Sequence, residues 1–407
     1  MSVQQAQERE LVRGLAEQVA EIAASEANRE IQQRWRDVNA LRKPDRAPVW
    51  CRPTGCWSEL LPDEQLVCQG PTLRAIEAEF RKILIKHDID DDSPVDGCFA
   101  VSAVLDRDQP TEFGVPINKR EPTEADGAWA YDPPLKSPED YGRLRAPHYT
   151  YNEAKTQERL AWTDELLGDI FPVQLTCQPP GLATLGNPAA DLRGLTEMMM
   201  DMAADPTLMH RLMAFLRDAQ LAAMDDAANT GLLTPNNTGP MLCSDPIGDV
   251  GEDGRVTYRN LWIHANSQEF DQVSPAMWEE FCLDYQLPIL EQYGYTHYGC
   301  CENLTHKIEG VLRIPNLRIF TCSAWTDLDL VADRCGTEYV IMWRQKASDV
   351  VVPDDIKPIR DHLEEGVKRL QGQYYQVVLR ELMTLHGHID RLHAWTAEAK
   401  EAATRFG

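Results

Sequence analysis

Positive charge is the scarcest resource in this chain. Forty Lys and Arg stand against sixty-five Asp and Glu, a formal net charge of −25 over 407 residues. Nucleic acids and anionic membrane surfaces are bound through basic patches, so neither is an expected partner. No apolar run reaches the roughly 18 residues that would suggest a membrane span. The first residues, Met1-Ser-Val-Gln-Gln-Ala-Gln-Glu-Arg-Glu, lack the basic and apolar regions of a secretory signal, which predicts a cytoplasmic protein. No Gly-rich phosphate loop of the nucleotide or dinucleotide type is present, so nothing calls for ATP or NAD. Internal repeats and low-complexity segments are missing too. Cysteine is not scarce, but its eleven residues are odd in number and scattered from Cys51 to Cys335. In a cytoplasmic chain that pattern predicts free thiols and no disulfide framework.

The densest chemistry lies in Tyr295-Thr-His-Tyr-Gly-Cys-Cys-Glu302. The segment reads as a short buried strand with reactive groups at its C-terminal end, followed by a helical pattern through Leu304, Ile308, Val311 and Leu312. Leu317-Arg-Ile-Phe-Thr-Cys-Ser323 repeats the design and ends at Cys322. Adjacent parallel strands lie about 5 Å apart, which makes one shared site conceivable. His297, Cys300, Cys301 and Cys322 form a candidate zinc set, with Glu302 as a further ligand or as acid/base, because imidazole and thiolate suit zinc and a catalytic zinc keeps one place open. Buried cysteines also serve as small hydrophobes, and for Cys322 alone the packing role is the stronger reading. A vicinal disulfide between Cys300 and Cys301 requires a distorted peptide.

Three regions are expected. Residues 1–47 form an N-terminal helical extension, with a helix over 8–42; residues 48–385 form the catalytic domain; residues 386–407 form a helical tail. Strands are predicted at Pro48–Cys51, Gly97–Leu105, Phe171–Cys177 and Glu338–Trp343. A strand or turn region reaches Cys243-Ser-Asp245, which presents Asp245 as a candidate acid. Residues 106–151, rich in Pro, Gly and Asp, read as an irregular insertion. Helices are predicted over 192–203, 206–229 and 274–292, and from Asp354 the remainder reads as helix, with Ile359, Leu363, Val367, Leu370, Val377, Val378, Leu382 and Leu385 as its stripe. Strand and helix alternate from about 97 to 350, which favours an α/β fold, a (β/α)8 TIM barrel with a long C-terminal helix. Trp57, Trp262, Trp325 and Trp343 fall near predicted strand ends; Trp57, Trp262 and Trp325, with Gln268 and Glu269, are candidate substrate contacts, although each tryptophan alone is more often core.

Several words of the sequence carry a resemblance: Tyr298-Gly-Cys-Cys-Glu302, Ile314-Pro-Asn-Leu-Arg318, Ser323-Ala-Trp325, Leu192-Arg-Gly194 and Ser274-Pro-Ala-Met-Trp278. Together they resemble the uroporphyrinogen decarboxylase-like superfamily, and within it the corrinoid-linked, zinc-dependent methyltransferases. The resemblance implies a TIM barrel with its site at the C-terminal mouth and zinc held by a histidine and two cysteines. His297, Cys300 or Cys301, and Cys322 occupy comparable places. It implies a methyltransferase moving a methyl group between a small substrate, such as a methoxylated aromatic undergoing O-demethylation, and a corrinoid (cobalamin) carried by a partner protein. A homodimer is a possible assembly. The chain departs from the pattern at Gly299, which stands at the cysteine position of the usual His-x-Cys with cysteine following, at Cys322, where close relatives have serine, and at Arg344-Gln-Lys-Ala347, where a Lys-Pro-Asn-Pro run is usual. Two alternatives remain open. One is a cofactor-free decarboxylase or lyase with Asp245 or Glu302 as general acid; the other is a non-enzymatic binding subunit with structural cysteines.

Overall fold

The computed structural model describes residues 2–120, 130–251, 253–353 and 355–407. Its organising element is a curled sheet of six parallel strands, a half-barrel. In chain order we label the parallel strands β1 (Val49–Cys51), β2 (Phe99–Ser102), β3 (Val173–Thr176), β4 (Trp262–Ala265), β5 (Tyr295–Tyr298), β6 (Leu317–Cys322), β7 (Val340–Gln345) and β8 (Tyr374–Leu379). The sheet runs β1-β8-β7-β6-β5-β4, and β2 and β3 form a separate parallel pair. Consecutive strands β4 to β8 each pair with the next, as crossover connections through helices require.

Alternation along these strands sorts side chains onto two faces. Ile263, Ala265, Tyr298, Phe320, Cys322, Ile341, Trp343, Val377 and Leu379 join the larger core under the helices. Trp262, Ile319, Val340, Met342 and Val378 point the other way, into the curl. That inner layer is closed at the strand starts by the helix Glu26–Asn39: Trp35 and Val38 pack into it, and Gln376 Nε2 donates to Asn39 Oδ1 at 2.9 Å. The N-terminal extension is two helices, Val3–Ala24 and Glu26–Asn39, where one was expected. Ser25 makes the break: its extended backbone leaves the first helix, and its hydroxyl caps the second by accepting from Asn28 N at 3.1 Å.

The C-terminal region departs most from expectation. Residues after 354 are not continuous helix; Lys357–Arg369 is helical, Tyr374–Leu379 is strand β8, between β1 and β7 in the sheet, and Asp390–Phe406 is the terminal helix. Leu232–Asp245 contains no strand. In the expected insertion, Leu105–Arg107 pairs antiparallel with Tyr149–Tyr151, and Asn118–Arg120 with Ala130–Asp132; residues 121–129 lie outside the described residues.

Candidate functional site

The C-terminal ends of four strands, β1, β5, β7 and β8, bring side chains together around two thiols. β5 ends at Tyr298, and the chain turns through Gly299, Cys300 and Cys301. Gly299 has φ +104°, and a Cβ there would lie 2.9 Å from Leu304 Cδ1 and 3.0 Å from Thr321 Cβ. A side chain at 299 would be strained by the backbone and crowded by Leu304 and Thr321, which favours glycine at this turn. Glu302 fixes the turn from the other side. Its carboxylate accepts from Cys300 N at 2.9 Å and from Ser267 N at 2.8 Å, with the side chain almost fully buried. Burial raises its carboxyl, against those amide hydrogen bonds. Both oxygens are thus committed to shaping the loop.

Cys300 Sγ and Cys301 Sγ lie 3.8 Å apart, and Cys301 Sγ is 3.7 Å from Glu381 Oε2. Glu381 follows β8, and three arginines gather around it. Arg344 of β7 reaches Glu381 Oε2 at 2.5 Å and Cys300 Sγ at 3.4 Å. Arg52, just after β1, pairs with Glu381 Oε1. Arg380 lies 3.4 Å from Cys301 Sγ. Burial works to raise the Glu381 carboxyl, but Arg344 and Arg52 outweigh it and hold the group at about 2. The Cys300 thiol is brought down to about 6, first by the hydrogen bond from Cys301 and then by Arg344 against the effect of burial. Cys301, as donor in that contact and partly buried, is pushed upward. The two sulfurs titrate as a pair, and the arginines beside them favour the thiolate form of one.

Among the described residues, Cys300, Cys301 and Glu381 are the one group of three potential ligands whose donor atoms all lie within 4.8 Å of one another. His297 and Cys322 are not part of it. His297 is buried with Nε2 2.7 Å from Thr321 Oγ1, and its ring lies 4.6 Å from that of His264. Burial pushes both imidazoles below their ordinary range. Cys322 follows Thr321, so it points to the opposite face of β6. Its thiol donates to Thr326 O at 3.7 Å inside the helix-covered core, and burial raises it.

The remaining candidates are dispersed. Asp245 lies among the segments that close the strand starts and pairs with Arg42 at 2.8 Å, so it is not at the thiol end of the sheet. Trp262 is buried in the inner layer, with Nε1 3.1 Å from Ser244 Oγ. Trp325 is 54% exposed, with the Lys346 ammonium over its ring. Trp57 borders a cavity of about 550 Å³ beside β1. Gln268 and Glu269 line a second cavity, of about 380 Å³, which also includes His264. His264 Nε2 is 3.1 Å from Gly299 O, which sets this cavity next to the thiol turn. Glu381 and Arg380 escape the sequence because β8 falls within an expected helix, and Arg344 enters there only as a departure from the family pattern.

No family model and no curated protein matches the chain. Among solved structures, a methyltransferase from Methanosarcina mazei is similar at a TM-score of 0.48 and 14% identity, covering 91% of this chain and 98% of that one. A likeness of that size carries no argument about activity. What fold and site define together is a parallel α/β half-barrel with a dithiol, carboxylate and arginine cluster at its C-terminal mouth.

Proposed function

We propose that this chain is a zinc-dependent methyltransferase, moving a methyl group between a small substrate and a corrinoid-bearing protein. In this reading β2 and β3 complete the six-stranded sheet as an eight-stranded (β/α)8 barrel. The observation that carries it is the spacing of the donors. Tetrahedral zinc, with Zn–S near 2.3 Å and Zn–O near 2.0 Å, needs sulfurs about 3.8 Å apart and sulfur and oxygen about 3.5 Å apart. The separations here are 3.8 Å for Cys300 and Cys301 and 3.7 Å for Cys301 and Glu381. Three protein donors leave the fourth place for substrate.

Zinc bound there would supply Lewis acidity and hold a substrate heteroatom in its deprotonated form. The chain's own residues do the rest. Arg344 and Arg52 keep Glu381 ionised and oriented, and Arg380 adds positive charge beside Cys301. Glu302 holds the Cys300 amide and so sets the direction of both thiols. The corrinoid partner is the second substrate.

Metal analysis of the purified chain tests the reading. About one zinc per chain, lost in Cys301→Ser together with methyl transfer, is expected; methyl transfer by a metal-free protein would overturn it. A second reading, a cofactor-free decarboxylase, draws on Arg52, Arg344 and Arg380 as a seat for a substrate carboxylate. It predicts CO2 release that persists in chelator.

A further inference from the structure

The cavity beside the thiol turn has a charge character opposite to that of the thiol cluster. Its wall contains the carboxylates of Glu112, Asp191 and Glu269, and among the described residues no Lys or Arg lines it. Phe113 and Tyr149 supply aromatic surface. Thr184 also lines it, is 8% exposed, and its Oγ1 has no hydrogen-bond partner; Glu269 Oε2 is likewise buried without one. A buried polar atom left unpaired costs stability until something meets it, and here two of them border the same space. Acidic groups and aromatic rings together favour a cation.

We infer that this cavity is the binding site of a small organic cation, an alkylammonium with at least one N–H to give to Glu269 and Thr184. A volume of about 380 Å³ suits a ligand of that size. The arginines around Cys300 and Cys301 would draw an anion to the thiols, whereas this wall repels anions, so the two ends of the mouth sort ligands by charge. Burial, helped by the charge of Glu302, raises the Glu269 carboxyl. An ammonium alongside favours its ionised form and removes part of that penalty. The inference deepens the methyl-transfer reading by naming a substrate class, and it rests on that reading only for the fate of the bound ligand.

Isothermal titration calorimetry on the full chain tests it, with dimethylammonium chloride as the probe and isopropanol and sodium acetate as neutral and anionic counterparts at constant ionic strength. The expected result is saturable binding of dimethylammonium alone, weakened tenfold or more by Glu269→Gln and several-fold by Asp191→Asn. Should Glu269→Gln not fold, Asp191→Asn carries the charge test. No saturation by dimethylammonium, equal affinity in the charge-removing variants, or isopropanol or acetate binding as tightly would overturn the inference. Cys301→Ser separates it from the function: dimethylammonium binding retained in that variant, with no zinc in the parent chain, leaves this site standing and removes the zinc reading. Zinc and methyl transfer without dimethylammonium binding remove this site alone.

Discussion

The Arg344 guanidinium, on β7, and the Glu381 carboxylate, just after β8, meet at 2.5 Å, and the same guanidinium lies 3.4 Å from Cys300 Sγ. Arg344 is 3% exposed. Its charge is therefore held out of water by one carboxylate and a thiol, and the pair links the sheet to the candidate chemistry.

The two sides of that pair are unequal, because Glu381 keeps Arg52 when Arg344 is removed, whereas Arg344 has no second carboxylate partner among the described residues. Glu381→Gln is expected to cost about 3 kcal/mol or more in urea unfolding, as for a buried charge that loses its partner. The double variant Arg344→Met/Glu381→Gln is expected to recover at least half of that loss, because the stranded guanidinium is gone. Equal costs for the single and double variants would show that the pair is not coupled.

Glu381 also sets an acid limit. Its folded-state carboxyl is lowered to about 2, so its contribution is fully present above the unfolded value near 4.3 and is lost as pH falls toward 2. The shift corresponds to on the order of 3 kcal/mol. Denaturant midpoints measured from pH 6 down to pH 3 should fall more steeply for the parent than for Glu381→Gln. Parallel curves would contradict the assignment.

Thiol chemistry gives a direct readout of the Cys300 and Cys301 contact. Alkylation of metal-free protein by iodoacetamide should show one fast thiol with an apparent pKa about 6, reactive across neutral pH. Cys301→Ala removes the hydrogen bond that lowers it most, so the midpoint should move up toward the ordinary thiol range near 8.5. A fast thiol with an unmoved midpoint in that variant would contradict this origin.

Cys322 distinguishes the structure from the ligand set expected from the sequence. Cys322→Ala should leave zinc content at the parent level and cost about 1 kcal/mol of stability, the price of a small cavity in the helix-covered core. Loss of zinc in this variant would restore Cys322 as a ligand.

The strands that carry their own punctuation were legible. β5 follows Gly294 and ends in Gly299-Cys300-Cys301, and β6 and β7 are short runs rich in branched or aromatic residues, bounded by turns. The dithiol was legible for the same reason: Gly-Cys-Cys-Glu offers little to strand or core. β8 was not, because Tyr374-Tyr-Gln-Val-Val-Leu379 sits among Leu363, Val367, Leu370, Leu382 and Leu385, whose spacing extends a helical stripe through it. A short buried run cannot be told from helix by period alone; the β-branched and aromatic content after Gly372 was the available signal. Missing β8 hid Arg380 and Glu381. Cys322 lies on the helix-covered face for a reason of register: side chains alternate along a strand, and its neighbour Thr321 is the inward-facing one.

Zinc-edge X-ray absorption on the purified chain tests the central claim most directly. The account predicts a tetrahedral shell with two sulfurs near 2.3 Å and lighter donors completing it. A protein without zinc, or a shell with fewer than two sulfurs, would contradict it.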